Sequence, residues 1–214
     1  MSYELHPSER LKAHFREKPW QGADPFEALF LFVGLDANYD ASIEKKLPEI
    51  FGYLDDGVAF WRQHGEGVHH PFRLPHYSGS GKRYHDKIAE IGFTSEHAPL
   101  VSFVELLHLP TTGRSKLTPS DLSPDHLRWL ARIFKDGSPK YVFLPQRVAT
   151  LMRQTKCFPW LPAKPLGSVG DMPVLCEKNG QTVYKIYHFS CYGWQLSLLN
   201  RQIAQIGDIV RGIR

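Results

Sequence analysis

Two side chains next to apolar segments, Asp36 and His188, have the types and positions needed for acid–base chemistry. Asp36 follows an apolar run by two residues, where its carboxylate can orient or deprotonate a water molecule. His188 ends another run and opens a polar, aromatic loop, so its imidazole can donate a hydrogen bond to an oxygen that gains negative charge. Each residue also has a structural interpretation, Asp36 as a turn or helix-capping residue and His188 as a histidine that stabilises the fold.

Short apolar runs predict the strands that must position these residues. Continuous apolar runs are typical of strands buried on both faces, and we expect the first three to pair in parallel. Residues 172–177 and 182–188 flank Asn179 and Gly180, a dipeptide that supplies the positive φ angles of a two-residue hairpin turn. Ligands bind outside the carboxyl ends of such strands. The three runs cover residues 28–33, 100–107 and 140–144.

Helical periodicity between the strands completes an α/β pattern. Ser123 precedes Pro124 and Asp125, which is a helix start with a capping hydroxyl, a proline at the first position and an acid in the first turn. This alternation predicts a three-layer α/β/α sandwich with a mostly parallel central sheet, formed by a single domain over residues 1–214. Residues 157–170, rich in Pro and Gly, predict a surface loop. The predicted helices are residues 42–63, 82–91, 124–135, 147–154 and 194–211.

Composition narrows the classes of protein to which the chain can belong. No run approaches the roughly 18 apolar residues of a membrane span, and residues 1–10 lack the apolar stretch of a signal peptide. The three cysteines, Cys157, Cys176 and Cys191, are an odd number at no metal-like spacing, which predicts a reducing, cytoplasmic location. The net charge of +4 favours a polyanionic partner only slightly.

Two further patterns resemble a phosphate-binding loop and a zinc site, but each lacks residues that such a site requires. Residues 78–83 resemble the tail of a phosphate-binding loop, but His76 replaces its first glycine and Arg83 replaces its Ser or Thr. Lys82 and Arg83 stay candidates for contact with a DNA phosphate. Five histidines could include three zinc ligands, but they contain no helical His-x-x-x-His pair and have no Cys partner, so we expect a polar cleft wall and no metal. These histidines are His64, His69, His70, His76 and His85.

The two end motifs together resemble those of the uracil-DNA glycosylase superfamily. Residues 34–39 (Gly-Leu-Asp-Ala-Asn-Tyr) are similar to its first motif, Gly-x-Asp/Asn-Pro-x, which also follows the first central strand. Residues 188–193 (His-Phe-Ser-Cys-Tyr-Gly) are similar to its last motif, His-Pro-Ser-Pro or Asn-Pro-Ser-Gly. Residues 69–72 and 81–94 resemble a stretch of the mismatch-specific uracil glycosylases that carries a base-stacking Phe. Residues 105–114 resemble the segment Asn-x-x-Lys-x-x-Pro that ends in Arg.

The chain departs from the family pattern at three positions. Ala37 replaces the proline of the first motif, and Phe189 replaces a proline of the last. Glu105 falls near the position where an Asn often recognises uracil. A helix inserted near residues 43–61 would explain the long spacing before residues 69–72. These departures leave the identity of the base open.

The resemblance implies hydrolysis of an N-glycosidic bond in DNA. Asp36 would orient water or stabilise the sugar cation, and His188 would hold the departing base as an anion. The base must leave the stack, with Phe72 as its platform and Tyr192 or Trp194 as the wedge, although core packing is the alternative for each aromatic residue. The remaining expected site residues are Gly34, Leu35, Asn38, Tyr39, Glu105 and Ser190 for the substrate, and Lys82, Arg83 and Arg114 for DNA.

The sequence therefore predicts a DNA glycosylase that removes a uracil-like or otherwise deaminated base in DNA repair. It would need no metal or organic cofactor, and its partner would be DNA rather than a membrane. One alternative is a module on the same scaffold that binds nucleic acid or nucleotides without hydrolysis. A second alternative is a nucleotide or nucleoside hydrolase unrelated to DNA.

Overall fold

The computed structural model describes residues 3–113 and 116–213 and contains a large sheet flanked by helices. The strands are β1 (Glu4–Leu5), β2 (Trp20–Gly22), β3 (Phe30–Asn38), β4 (Val101–Thr112), β5 (Tyr141–Pro145), β6 (Gly167–Val169), β7 (Met172–Lys178) and β8 (Gln181–Ile186). The α-helices are α1 (Glu9–Glu17), α2 (Ile43–Lys46), α3 (Glu49–Asp55), α4 (Gly57–His64), α5 (Lys82–Ala89), α6 (Pro124–Asp136), α7 (Gln146–Gln154) and α8 (Trp194–Arg211).

The centre of the sheet is parallel. Its strand order is β1-β4-β3-β5-β8-β7-β6, and β2 also pairs with β4. The pairs β3–β4, β3–β5 and β5–β8 are parallel, whereas the pairs toward both edges are antiparallel. The prediction of an α/β fold with a mostly parallel central sheet is confirmed at this level. The predicted hairpin is also confirmed, because β7 and β8 join through Asn179 and Gly180 at φ angles of 54° and 77°.

The central strands extend further than their apolar runs predict. β3 continues to Asn38 and β4 to Thr112, so residues 34–38, placed after the strand by the sequence, belong to it. Ladder pairs Gly34–Glu105 and Asp36–Leu107 join the polar ends of the two strands. β8 ends at Ile186, so His188 lies in the loop beyond it. Backbone pairing, not side-chain hydropathy, sets these strand ends.

The helix predicted over residues 42–63 is wrong as a single element. It is three short helices, α2, α3 and α4, with breaks at Leu47–Pro48 and at Asp56. Pro48 has no N–H to continue a helix, and Asp56 caps α4 by accepting a hydrogen bond from the Ala59 N–H at 2.9 Å. The other four predicted helices match α5 to α8 within two residues, and Ser123 caps α6.

Four elements were not predicted from the sequence. α1 is capped by Ser8, whose hydroxyl accepts a hydrogen bond from the Leu11 N–H at 2.9 Å. β1 and β2 are two and three residues long, too short for a periodic pattern. β6 lies inside the predicted loop over residues 157–170, so that loop is only partly irregular.

The alternate residues of β3 pack into two separate hydrophobic clusters, which explains its unbroken apolar run. Phe30 and Phe32 belong to a cluster that includes residues of α5 and α8. Leu31 and Val33 belong to one that includes residues of α6 and α7. None of the helices in the described stretches combines the length and the apolar character needed to cross a bilayer.

Candidate active site

A row of four aromatic rings crosses the parallel strands. Because neighbouring strands place equivalent residues side by side, the Phe103 and Phe32 rings stack at 5.4 Å between centroids, and Phe32 and Phe143 stack at 4.8 Å. Tyr184 continues the row against Phe143 at 5.6 Å. Side chains two residues further along each strand lie on the same face. The row therefore forms a rigid apolar layer just below the carboxyl ends of the strands.

A cleft of about 960 Å³ opens above this aromatic row. Its wall includes Gly34, Glu105, Pro145 and Ile186, each two residues beyond a member of the row. The predicted location of the site at the carboxyl ends of the strands agrees with this cleft. Ten of the predicted site residues line it: Gly34, Leu35, Asp36, Asn38, Tyr39, Phe72, Glu105, His188, Ser190 and Trp194.

Asp36 lies on β3, and its half-buried carboxylate is held by β4. The Thr111 hydroxyl donates a hydrogen bond to Oδ2 of Asp36. The same hydroxyl oxygen accepts a hydrogen bond from Nδ2 of Asn38 at 2.9 Å, and Nδ2 also donates to the Gly113 carbonyl at 2.7 Å. The chain Asn38–Thr111–Asp36 therefore fixes the orientation of a carboxylate at the cleft.

His188 lies at the mouth of the same cleft in a defined tautomer. Its Nδ1 accepts a hydrogen bond from the Ser190 N–H at 3.1 Å. The neutral ring must then carry its proton on Nε2. Burial against the protein lowers the pKa of His188, and the negative charge of Asp36 opposes that shift. The structure therefore brings together Asp36 and a neutral imidazole with a donor N–H.

Glu105 is a half-buried acid on β4 whose carboxyl group rests against Gly34. A methyl group at position 34 would lie 1.9 Å from Oε2 of Glu105, so only glycine leaves space for the carboxyl. Burial, and then the nearby charge of Asp36, raises the pKa of Glu105 well above its ordinary value. No lysine, arginine or histidine pairs with it in the stretches that the structure describes.

Three of the five histidines that the sequence groups together form a buried cluster. The His70 and His85 rings stack in parallel at 3.7 Å, and Nε2 of His69 lies 3.1 Å from Nδ1 of His85. His70 and His85 line the cleft. Burial lowers the pKa of each ring, that of His69 to about 3, so all three are neutral. His64 and His76 are exposed and lie outside the cluster.

Two members of the histidine cluster, His70 and His85, form part of the cleft wall. Across residues 3–113 and 116–213, no three His, Cys, Asp or Glu side chains are arranged to hold a metal ion. His70 Nδ1 accepts a hydrogen bond from the Phe72 N–H at 3.1 Å, so that nitrogen already has a partner.

Phe72 lines the cleft but is packed as a core residue. Only 2% of it is exposed, and Tyr77 stacks on one face at 4.5 Å between centroids. The edges of Tyr39 and His70 contact it as well, with centroids at 5.8 Å and 4.5 Å. Very little of the Phe72 ring is therefore open to a ligand in the cleft.

Of the predicted DNA-contact residues that the structure describes, Trp194 lines the cleft, and Lys82, Arg83 and Tyr192 are adjacent in sequence to residues that line it. Tyr192 is 78% exposed and Trp194 is 71% exposed, and Trp194 also lines the cleft. Arg83 donates a hydrogen bond to the Cys191 carbonyl at 2.8 Å, which ties α5 to the loop of Tyr192, whereas Lys82 pairs with Asp86. Lys82, Arg83 and Tyr192 do not form part of the cleft wall, and Arg114 lies outside the described residues.

Gln21 is a cleft residue that sequence reasoning missed. It lies on β2 opposite Phe103, is 6% exposed, and its Oε1 accepts a hydrogen bond from the Tyr39 hydroxyl at 3.4 Å. A three-residue strand gives no periodic signal, so only the pairing of β2 with β4 reveals its place. Tyr84 and Phe103 also line the cleft and were not predicted as site residues.

Comparison with protein-family models and with curated proteins finds no match to this chain. Functional inference therefore depends on the residues and the geometry of the cleft.

Proposed function

We propose that this protein is a DNA glycosylase of the uracil-DNA glycosylase type that hydrolyses the N-glycosidic bond of a uracil-like or otherwise deaminated base. One observation carries the proposal. Asp36 and His188, which lie on separate segments far apart in the sequence, line one cleft. Thr111 donates to the Asp36 carboxylate, and the hydrogen bond that His188 Nδ1 accepts from Ser190 leaves the ring proton on Nε2.

The two side chains divide the reaction between them. The Asp36 carboxylate, oriented by Thr111, stabilises positive charge on the sugar or positions the attacking water and takes up the proton that this water loses as it bonds to the sugar. As the bond to the sugar breaks, the base leaves with the bonding electrons and accepts a hydrogen bond from Nε2 of His188. A donor aimed at such developing charge is worth roughly 10²-fold to 10³-fold in rate in comparable oxyanion sites.

The cleft suits a base that has left the duplex stack. Its volume of about 960 Å³ exceeds what one base needs and leaves room for the attached sugar. Aromatic side chains of Tyr39, Tyr84 and Phe103 and neutral imidazoles line it and suit a flat, uncharged ring, while Arg147 and Lys185 also form part of its wall. Exposed Tyr192 and Trp194 stand at the rim, where an aromatic side chain can fill the vacated stack.

The packing of the sheet supports the scaffold expected of that superfamily. Alternate residues of β3 pack into two clusters. One cluster includes residues of α5 and α8, and the other includes residues of α6 and α7. Two helical layers on a central sheet make a three-layer α/β/α sandwich, which is part of the proposal.

The test is excision from duplex oligonucleotides that carry uracil, hypoxanthine, xanthine or a mismatched thymine, followed by alkaline cleavage of any abasic site. We expect the wild-type protein to cleave at least one of the first three and to leave undamaged duplex intact. Binding without cleavage in all of them would instead favour the non-catalytic module. Hydrolysis of free nucleosides with no action on DNA would favour the hydrolase unrelated to DNA.

A further inference from the structure

Glu105 lines the cleft, but the reaction described above gives this acid no role. Its carboxyl group lies against the Cα of Gly34, and the nearest charge that acts on it is the carboxylate of Asp36. Two carboxylates that share one poorly solvated cleft do not both ionise readily. Thr111 donates to Asp36 and favours its charged form, whereas none of the hydrogen bonds among the described residues stabilises a charge on Glu105.

The titratable groups whose charges couple to Glu105 carry no positive charge at neutral pH. Arg147 and Lys185 also line the cleft, but their charges are not among those that shift the pKa of Glu105. Burial raises the pKa values of Tyr39, Tyr53 and Tyr84, and the charge of Glu105 adds to each shift. The imidazoles of the cleft have lowered pKa values, mainly through burial. These titratable neighbours are Asp36 and Tyr39 from β3 and its end, Tyr53 from α3, Tyr84 and His85 from α5, His70, and His188.

We propose that Glu105 acts un-ionised, as a carboxylic acid that donates one hydrogen bond to the edge of the bound base and accepts another. This inference rests on the proposed function, because it assigns the base to the cleft. A neutral acid has one donor and one acceptor, whereas a carboxylate has acceptors only. Holding the acid neutral in a poorly solvated site is an established way for proteins to use it as a donor.

The un-ionised acid matches the hydrogen-bonding edge of a deaminated base. Uracil and hypoxanthine each present a carbonyl oxygen beside a ring N–H, which matches the O–H and C=O of the acid in one orientation. Guanine presents the same pair, O6 beside N1–H, and its N1–H and amino group together would also match a carboxylate. Cytosine and adenine present one donor beside one acceptor as well, so an un-ionised Glu105 fits one edge of each of these bases and does not by itself separate them.

Variants of Glu105 test the inference by single-turnover excision of uracil or hypoxanthine across a pH series. Glu105→Gln keeps one acceptor and a donor but cannot ionise, and Glu105→Ala removes both. We expect Glu105→Ala to lose roughly 10-fold to 100-fold in rate. Glu105→Gln should stay well above it and show no loss at alkaline pH, whereas the wild-type rate should fall about tenfold per pH unit above the raised pKa. Glu177→Gln, which removes an exposed carboxylate outside the cleft, is the matched control.

The outcomes separate this inference from the proposed function. If the wild-type protein excises a base and folded Glu105→Gln is as slow as Glu105→Ala, the charged carboxylate of Glu105 is needed. The inference on Glu105 then fails, while the proposed function stands. Full activity in folded Glu105→Ala would also refute it. If the wild-type protein excises none of the bases tested, the proposed function fails, and with it the base as the partner of Glu105.

A second readout needs no activity. An acid whose pKa is raised in the folded state adds stability that is present at low pH and is lost as pH rises through the folded pKa. The melting temperature of Glu105→Gln minus that of wild type should therefore increase with pH, starting above the ordinary Glu pKa. A difference that stays constant from acid to alkaline pH would show that Glu105 ionises normally and would refute its un-ionised role.

Discussion

Gly34→Ala tests whether the position of the Glu105 carboxyl matters, because it should displace the carboxyl without changing the residue itself. A methyl group at residue 34 would lie 1.9 Å from Oε2, 2.5 Å from Cδ and 2.6 Å from Oε1 of Glu105. Contacts under 3.0 Å essentially do not occur for such an atom, so the carboxyl must withdraw by about 1 Å or more. Gly34 does not lie in the left-handed backbone region, so alanine brings no backbone strain.

Displacement of the Glu105 carboxyl should lower the excision rate strongly and the free energy of unfolding only slightly. A misplacement of about 1 Å can cost roughly 10²-fold in rate, or about 2.7 kcal/mol. The clash involves the end of a flexible side chain, so the loss in free energy of unfolding should lie at or below the low end of the 1–3 kcal/mol that is typical of overpacked cores. Single-turnover excision and a melting curve measure the two effects.

Two further variants control this experiment. Gly52→Ala makes the same substitution at an exposed position of α3 where the added methyl contacts nothing within 4 Å, so it should keep the wild-type rate and gain about 0.5–1 kcal/mol of stability. In a Glu105→Ala background, Gly34→Ala should change neither rate nor melting temperature appreciably, because the clashing group is absent. If folded Gly34→Ala excises the base within about threefold of the wild-type rate, the proposed contact between the Glu105 carboxyl and Gly34 is refuted.

Three other outcomes follow from the packing and charge of the cleft. Phe72→Ala should lower the free energy of unfolding by about 3–5 kcal/mol, measured by denaturant melts, because the ring is buried against Tyr77; a loss under about 1 kcal/mol would contradict its core role. Trp194→Ala should leave stability within about 0.5 kcal/mol but weaken DNA binding by about 1–3 kcal/mol in titrations, and unchanged affinity would exclude base stacking there. DNA affinity should fall at least tenfold from about 50 to 200 mM salt, whereas a flat response would favour a single nucleotide as ligand.

The sequence predicts the parts of the fold that depend on local pattern. The apolar runs locate β3, β4 and β5, the Asn179–Gly180 turn locates the hairpin, and Ser123 marks the start of α6. These features are encoded in side chains within a few residues of each other. Strand ends were less predictable, because the pairing of β3 with β4 carries both strands past their apolar residues.

The interior of the cleft could not be predicted in the same way. Gln21 enters it through a three-residue strand, and the contact of Glu105 with Gly34 depends on the register between β3 and β4. His70 caps a short 3₁₀ helix over residues 71–73, and it stacks on His85 of α5, which lies beyond the following loop. Each of these contacts is long-range and has no periodic signal. The positions of Asp36 and His188 were accessible because both lie close to recognisable apolar runs.

The central claim is that Asp36 and His188 cleave an N-glycosidic bond in this cleft, and single-turnover excision by Asp36→Asn and His188→Ala tests it most directly. Asn keeps an oxygen that can accept from Thr111 but loses the charge, so excision should slow while binding to damaged DNA persists. His188→Ala removes the Nε2 donor and should cost roughly 10²-fold to 10³-fold. An active wild-type protein whose two folded variants each lose less than about threefold, worth only ~0.7 kcal/mol, would contradict the claim.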